Sequence, residues 1–99
     1  MPNNQHILEI VIFTVKSTAT ANIVNIRKEL HEYVKGYKGF IEMKQYYPAG
    51  DSQTFADIVT WDTLENALNA AKAFEADDEK LQPIMQALED VKFMGHFKP

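Results

Sequence analysis

The stretch Gly39–Trp61, GFIEMKQYYPAGDSQTFADIVTW, decides the fold. Two runs rich in aromatic and β-branched residues, Gly39–Tyr47 and Gln53–Trp61, flank Pro48-Ala49-Gly50-Asp51, whose Pro and Gly are turn formers, so the stretch reads as a β-hairpin. Beyond it, Asp62 and Glu65 make a capping-box-like pair with Asp in the N-cap role, and Leu64, Ala67, Leu68, Ala71 and Phe74 recur at helical spacing. The acidic run Glu75–Glu79 interrupts that helix and reads as a solvated junction. Leu81, Ile84, Met85 and Leu88 resume a helical stripe, with Pro83 tolerated in the first turn, and Val91–Phe97 reads as a closing strand. Before the hairpin, Ile23, Ile26, Leu30, Tyr33 and Val34 lie on one side of a helix that Gly36 terminates. Ahead of that helix, His6–Lys16, HILEIVIFTVK, reads as a strand covered on both faces.

The resulting order, strand-helix-strand-strand-helix-strand, is the α+β ferredoxin-like arrangement. It predicts an antiparallel four-stranded sheet with the first strand between the fourth and third, the second at the far edge, and both helices on one face. Residues 1–99 are expected to form one domain, because the length suits a single core and no linker or repeat divides the chain. A domain this small gains stability by burying a face against a second copy, so a homodimer is expected. The net charge of −4 is the wrong sign for holding a phosphate backbone, which argues against nucleic acid. No cysteine is present, removing disulfide and thiolate chemistry. The opening residues lack the pattern of a secretory leader and no apolar run is long enough to span a bilayer, so a cytoplasmic protein without membrane contact is expected.

Strand alternation separates two sets of side chains on each strand. In the first strand, Leu8, Ile10 and Ile12 suit packing under the helices, whereas Ile7, Glu9, Val11, Phe13 and Val15 include a carboxylate. The hairpin strands offer Phe40, Glu42, Lys44 and Tyr46, and Phe55, Asp57, Val59 and Trp61. In the last strand Lys92, Met94 and His96 match this mixed set, with Val91, Phe93 and Phe97 expected under the helices. A face mixing large aromatics with a few charges suits a cavity or a subunit interface, and a second copy is expected to cover it. The antiparallel register brings Glu9, Trp61 and His96 together, with Asp57 deeper in. A carboxylate beside an imidazole is a general acid/base pair near neutral pH. Glu9, Asp57 and His96 are therefore the candidate catalytic residues, and Phe13, Phe40, Tyr46, Phe55 and Trp61 the candidate substrate-binding walls. The alternative for the carboxylates is a buried ion pair with Lys44 or Lys92, or a hydrogen bond across the dimer. His31 falls with Arg27, Lys28 and Lys35 on the polar side of the first helix. Three scattered histidines do not make a metal site, and no phosphate-loop, dinucleotide or nucleophile-elbow motif occurs.

Taken together, Gly39-Phe40 entering its strand, Asp57-Ile58-Val59-Thr60-Trp61, the helix beginning Leu64-Glu65-Asn66-Ala67-Leu68 and the ending His96-Phe97 resemble the antibiotic biosynthesis monooxygenase domain family of the dimeric α/β-barrel superfamily, in an uncharacterised bacterial branch. The resemblance spans nearly the whole chain. It implies two ferredoxin-like sheets paired face to face into a barrel whose interior holds a small organic ligand. Some members of the family oxygenate polyketide phenols to quinones without metal or flavin, and others degrade haem. A helical tryptophan of the haem-degrading branch falls at Ala70, as does a helical histidine common in the family, which disfavours haem and leaves proton transfer to the strands. The resemblance thus implies a cofactor-independent oxygenase, or an enzyme of proton-transfer chemistry, acting on a small conjugated or aromatic substrate. The competing expectation is a non-catalytic homodimer that binds a small molecule or is purely structural.

Overall fold

Strands β1 (Ile7–Val15), β2 (Phe40–Tyr46), β3 (Thr54–Trp61) and β4 (Leu88–Phe97) form one antiparallel sheet in the order β2-β3-β1-β4, as the sequence predicts. The computed structural model describes residues 6–76 and 79–99; the opening Met1–Gln5 and, within the acidic junction, Asp77 and Asp78 lie outside the described residues. Helix α1 (Ile23–Val34) follows a 3₁₀ segment, Ser17–Asn22, and α2 (Leu64–Ala76) follows the hairpin. A short 3₁₀ turn, Glu79–Leu81, leads into α3 (Gln82–Ala87), whose first turn carries Pro83, where a missing N–H costs nothing. Leu88 begins β4 instead of closing a helix.

The helices pack against one face of the sheet, but not the face the sequence suggested. Ile7, Phe13 and Val15 of β1 and Phe55, Asp57, Val59 and Trp61 of β3 are buried beneath them, with Leu30, Val34, Ala67, Ala70 and Ile84 above. Leu8, Ile10 and Ile12, expected under the helices, lie on the open face instead, Leu8 being well exposed. Hydropathy could not choose between the two sets because both are mainly apolar; the mixed set goes inside because its charges find partners there. The aromatics Phe13, Phe55 and Trp61 are therefore covered by the protein's own helices and need no second copy.

Bulges displace two further expectations. Phe40 pairs with Trp61 and Met43 with Val59, so an extra residue sits between them on β2. Phe40 and Met43 both reach the core, while Glu42, Lys44 and Tyr46 are exposed. In β4 the pairing steps from Ile12↔Phe93 to Phe13↔Val91, which leaves Lys92 extra and exposed. Phe93 and Phe97, paired with Ile12 and Leu8, follow those residues to the open face, not under the helices, and stack at 6.0 Å across Gly95.

The entry to α2 differs in detail from the expected capping box. Thr63, not Asp62, caps the helix: its Oγ1 accepts from the Asn66 backbone N–H at 3.1 Å. Asp62 Oδ1 instead accepts from Asn66 Nδ2 at 2.8 Å, a bond that holds its carboxyl below the ordinary carboxylate value. Both groups crowd Gly39, whose φ of +89° is one that side chains avoid.

Candidate functional site

Between sheet and helices lies a cavity of about 400 Å³, within the range of small-molecule sites. It lies within the single chain, between its own sheet and helices. Val11, Phe13 and Val59 contribute the sheet side, Leu30, Val34 and Phe74 the helix side, and Met43 lines it from β2. The space exists because α2 turns small side chains, Ala70 and Ala71, toward the sheet. Half-exposed Met85 on α3 and Val91 and Met94 on β4 mark its solvent side.

Three carboxylates, Glu9, Asp57 and Glu75, interrupt the mainly apolar lining, and Trp61 adds an N–H donor. Glu9 lies opposite Val59 on one neighbour and opposite His96 on the other, so all three strands contribute at one level. Trp61 Nε1–H donates to Glu9 Oε1 at 2.9 Å, and His96 Nε2 stands 3.6 Å from the same oxygen. That separation is just beyond a hydrogen bond, and His96 Nε2 is buried without a partner. Burial raises the Glu9 carboxyl above its ordinary value, while the Trp61 hydrogen bond and the nearby imidazole pull it back. Such a carboxylate, desolvated and held by one donor, can exchange a proton with a bound molecule.

Asp57 faces the same cavity from β3. Its partner is neither Lys44 nor Lys92 but Arg27 of α1, whose Nη2 binds Asp57 Oδ1. Arg27 also donates to the backbone carbonyls of Tyr46 at 3.0 Å and Ala56 at 3.3 Å, and its guanidinium lies 4.5 Å from the Tyr47 ring centroid and 5.1 Å from that of Phe55. It is 0% exposed. This corrects its placement on the polar side of the helix. The signal was present in the spacing: Ile23, Arg27, Leu30 and Val34 form a single buried stripe. Burial pushes the Asp57 carboxyl up, and the Arg27 charge acts against that rise.

The candidate residues therefore separate. Glu9, Asp57, Phe13 and Trp61 all line the cavity, and His96 touches it through Glu9. Phe40 lies edge-on to Trp61 and packs against the core behind it, and Phe55 is buried in the neighbouring cluster with Phe13. Tyr46 stands half exposed on the open face and is no wall of this cavity, because the unbroken register from Met43 places it opposite Ala56. Among the described residues no three His, Cys, Asp or Glu side chains cluster as a metal site would require, and no helix is long and apolar enough to cross a membrane.

No protein-family model matches the sequence, and no curated protein is similar to it. Solved structures do share its architecture. SnoaB, a cofactor-independent oxygenase from Streptomyces nogalater, superposes with a TM-score of 0.73 at 14% identity, over 94% of this chain and 91% of that one. A candidate antibiotic biosynthesis monooxygenase from Bordetella bronchiseptica gives 0.75 at 15% identity, over 96% and 97%. A nipsnap family protein of unknown function from Agrobacterium tumefaciens gives 0.72 at 17%, over 97% and 89%. The chain thus has the α+β, ferredoxin-like fold of antibiotic biosynthesis monooxygenase-type proteins.

Proposed function

We propose that this protein is a cofactor-independent oxygenase acting on a small hydroxylated aromatic molecule held in the cavity, with Glu9 as the base. The observation that carries this reading is the Glu9–Trp61–His96 cluster at a cavity whose walls are mainly apolar. Deprotonation of a bound phenol by Glu9 makes an electron-rich anion, and the apolar walls keep water from competing for it. That anion gives electrons to dioxygen and forms a carbon–oxygen bond; the resulting hydroperoxide then loses water to leave a quinone carbonyl. One oxygen atom stays on the ring, and the other leaves with the two hydrogens of the original O–H and C–H groups. The aromatic molecule is oxidised, dioxygen is reduced, and no other electron donor is needed. Trp61 fixes the Glu9 carboxylate, and His96 passes the proton between Glu9 and the departing oxygen. Asp57 is tied to Arg27 and takes no proton in this scheme.

A second copy on the open sheet face belongs to the same reading. Leu8, Phe93 and Phe97 there are each about two-fifths exposed or more, which is costly for a sheet left in water. The barrel of paired sheets implied by the resemblance covers this face and leaves one cavity in each protomer.

The test is oxygen uptake, with quinone absorbance, for the purified protein given naphthols and anthrones. Turnover by the wild type is expected, with a loss of about a hundredfold or more in Glu9→Gln and His96→Gln. Wild-type activity retained by Glu9→Gln would remove Glu9 from the chemistry, and binding without oxygen uptake would make the protein a carrier.

A further inference from the structure

We infer that the molecule taken by this cavity carries a second hydroxyl group, remote from the one that meets Glu9, and that this hydroxyl donates to Asp57. The inference rests on the reading of Glu9 as the base and adds the substrate class. Glu9 pairs with Val59, and Asp57 lies two residues before Val59 on the same strand and the same face. The two carboxylates are thus diagonal neighbours on adjacent strands, with Cβ atoms roughly 7 Å apart. Both line the cavity, and the surface between them comes from Val11 and Val59. A flat molecule lying over those valines meets one carboxylate at each end.

The two ends differ in chemistry. Among the described residues Glu9 meets no lysine or arginine, only the Trp61 N–H and the His96 imidazole, so it is free to gain and lose a proton. Asp57 is engaged at Oδ1 by a fully buried guanidinium that never deprotonates. Removing charge from Asp57 would strand that cation, so Asp57 stays an acceptor. Oδ2 is the oxygen left for an incoming donor. A neutral hydroxyl meets that need, whereas a second carboxylate on the ligand would be repelled. A simple phenol with an apolar far end would leave this acceptor unmet inside a desolvated pocket, which is a strong ground for rejecting it.

Trp61, the chain's only tryptophan, lines the cavity, so quenching of its fluorescence reports binding without turnover. Three probes are compared under nitrogen: a symmetric naphthalenediol with hydroxyls at opposite ends, its monomethyl ether, and the corresponding naphthol. The diol is expected to bind roughly ten- to a hundredfold more tightly than either mono-hydroxyl probe, the scale of a hydrogen bond to a charged group. That preference should collapse in Asp57→Asn and persist in Glu9→Gln. Equal affinities for the three probes in the wild type, or no quenching by any, overturn the inference without recourse to a variant. A preference undiminished in folded Asp57→Asn overturns the assignment to Asp57. A protein that prefers the diol yet consumes no oxygen keeps this inference and loses the oxygenase reading; one that oxidises naphthol and diol alike with equal affinity does the reverse.

Discussion

At the scale of single residues, the two buried carboxylates respond to pH and substitution in different ways. Folding raises the Glu9 carboxyl above 4.5, its ordinary value. The stability tied to its neutral form is therefore fully present below that value and is lost as the pH climbs through the raised one. Glu9→Gln keeps an oxygen for the Trp61 N–H and never ionises. Urea denaturation should find the variant more stable than the wild type at neutral pH, with the gap closing in acid. Arg27→Met acts through the other carboxylate. It strands Asp57 among Phe13, Phe55 and the backbone carbonyls that Arg27 had satisfied, and should cost about 3 to 5 kcal/mol at neutral pH. The loss should shrink in acid, where Asp57 becomes neutral; a loss that stays constant with pH would show that lost packing dominates.

At the scale of elements, the join between the hairpin and α2 is the most constrained. A Cβ at Gly39 would come within 2.5 Å of Asp62 Oδ1 and 2.6 Å of Asn66 Cβ, and Asp62 N–H donates to the Gly39 carbonyl at 2.9 Å. Gly39→Ala should therefore destabilise by about 2 kcal/mol or more, measured by urea denaturation. The order and pairing of the strands were legible because hairpin, helix and strand signals agreed along the chain. The meeting of Glu9 with Val59 and His96 was expected from that order together with the position of Glu9 near the start of its strand, opposite the ends of its antiparallel neighbours. Which side of the sheet the helices cover was not legible, since Leu8-Ile10-Ile12 and Ile7-Val11-Phe13 are equally apolar. Only the polar partners settle it, and the decisive one, Arg27, looks like a solvent residue unless its place in the buried stripe outweighs its charge. The bulges at β2 and β4 left no sequence mark, so Tyr46 and Lys92 could not be assigned outside the cavity in advance, whereas Phe93 simply follows Ile12 to the open face.

At the scale of the whole molecule, the open face and the cavity are on opposite sides of one sheet. The open face leads to a prediction about assembly: light scattering should find the proposed dimer in the wild type and a monomer in Phe93→Lys, with Trp61 quenching by aromatic probes intact in both. An unchanged dimer would place the interface elsewhere. The cavity has a wider consequence. Ala70 and Ala71 hold open a space that larger side chains on α2 would fill, so the empty protein forgoes packing that it could have had. Any molecule that fits restores it, by about 2.7 kcal/mol when present at a hundred times its dissociation constant. A rise in melting temperature across a library of metabolites would therefore reveal the occupant even if nothing were known of its chemistry.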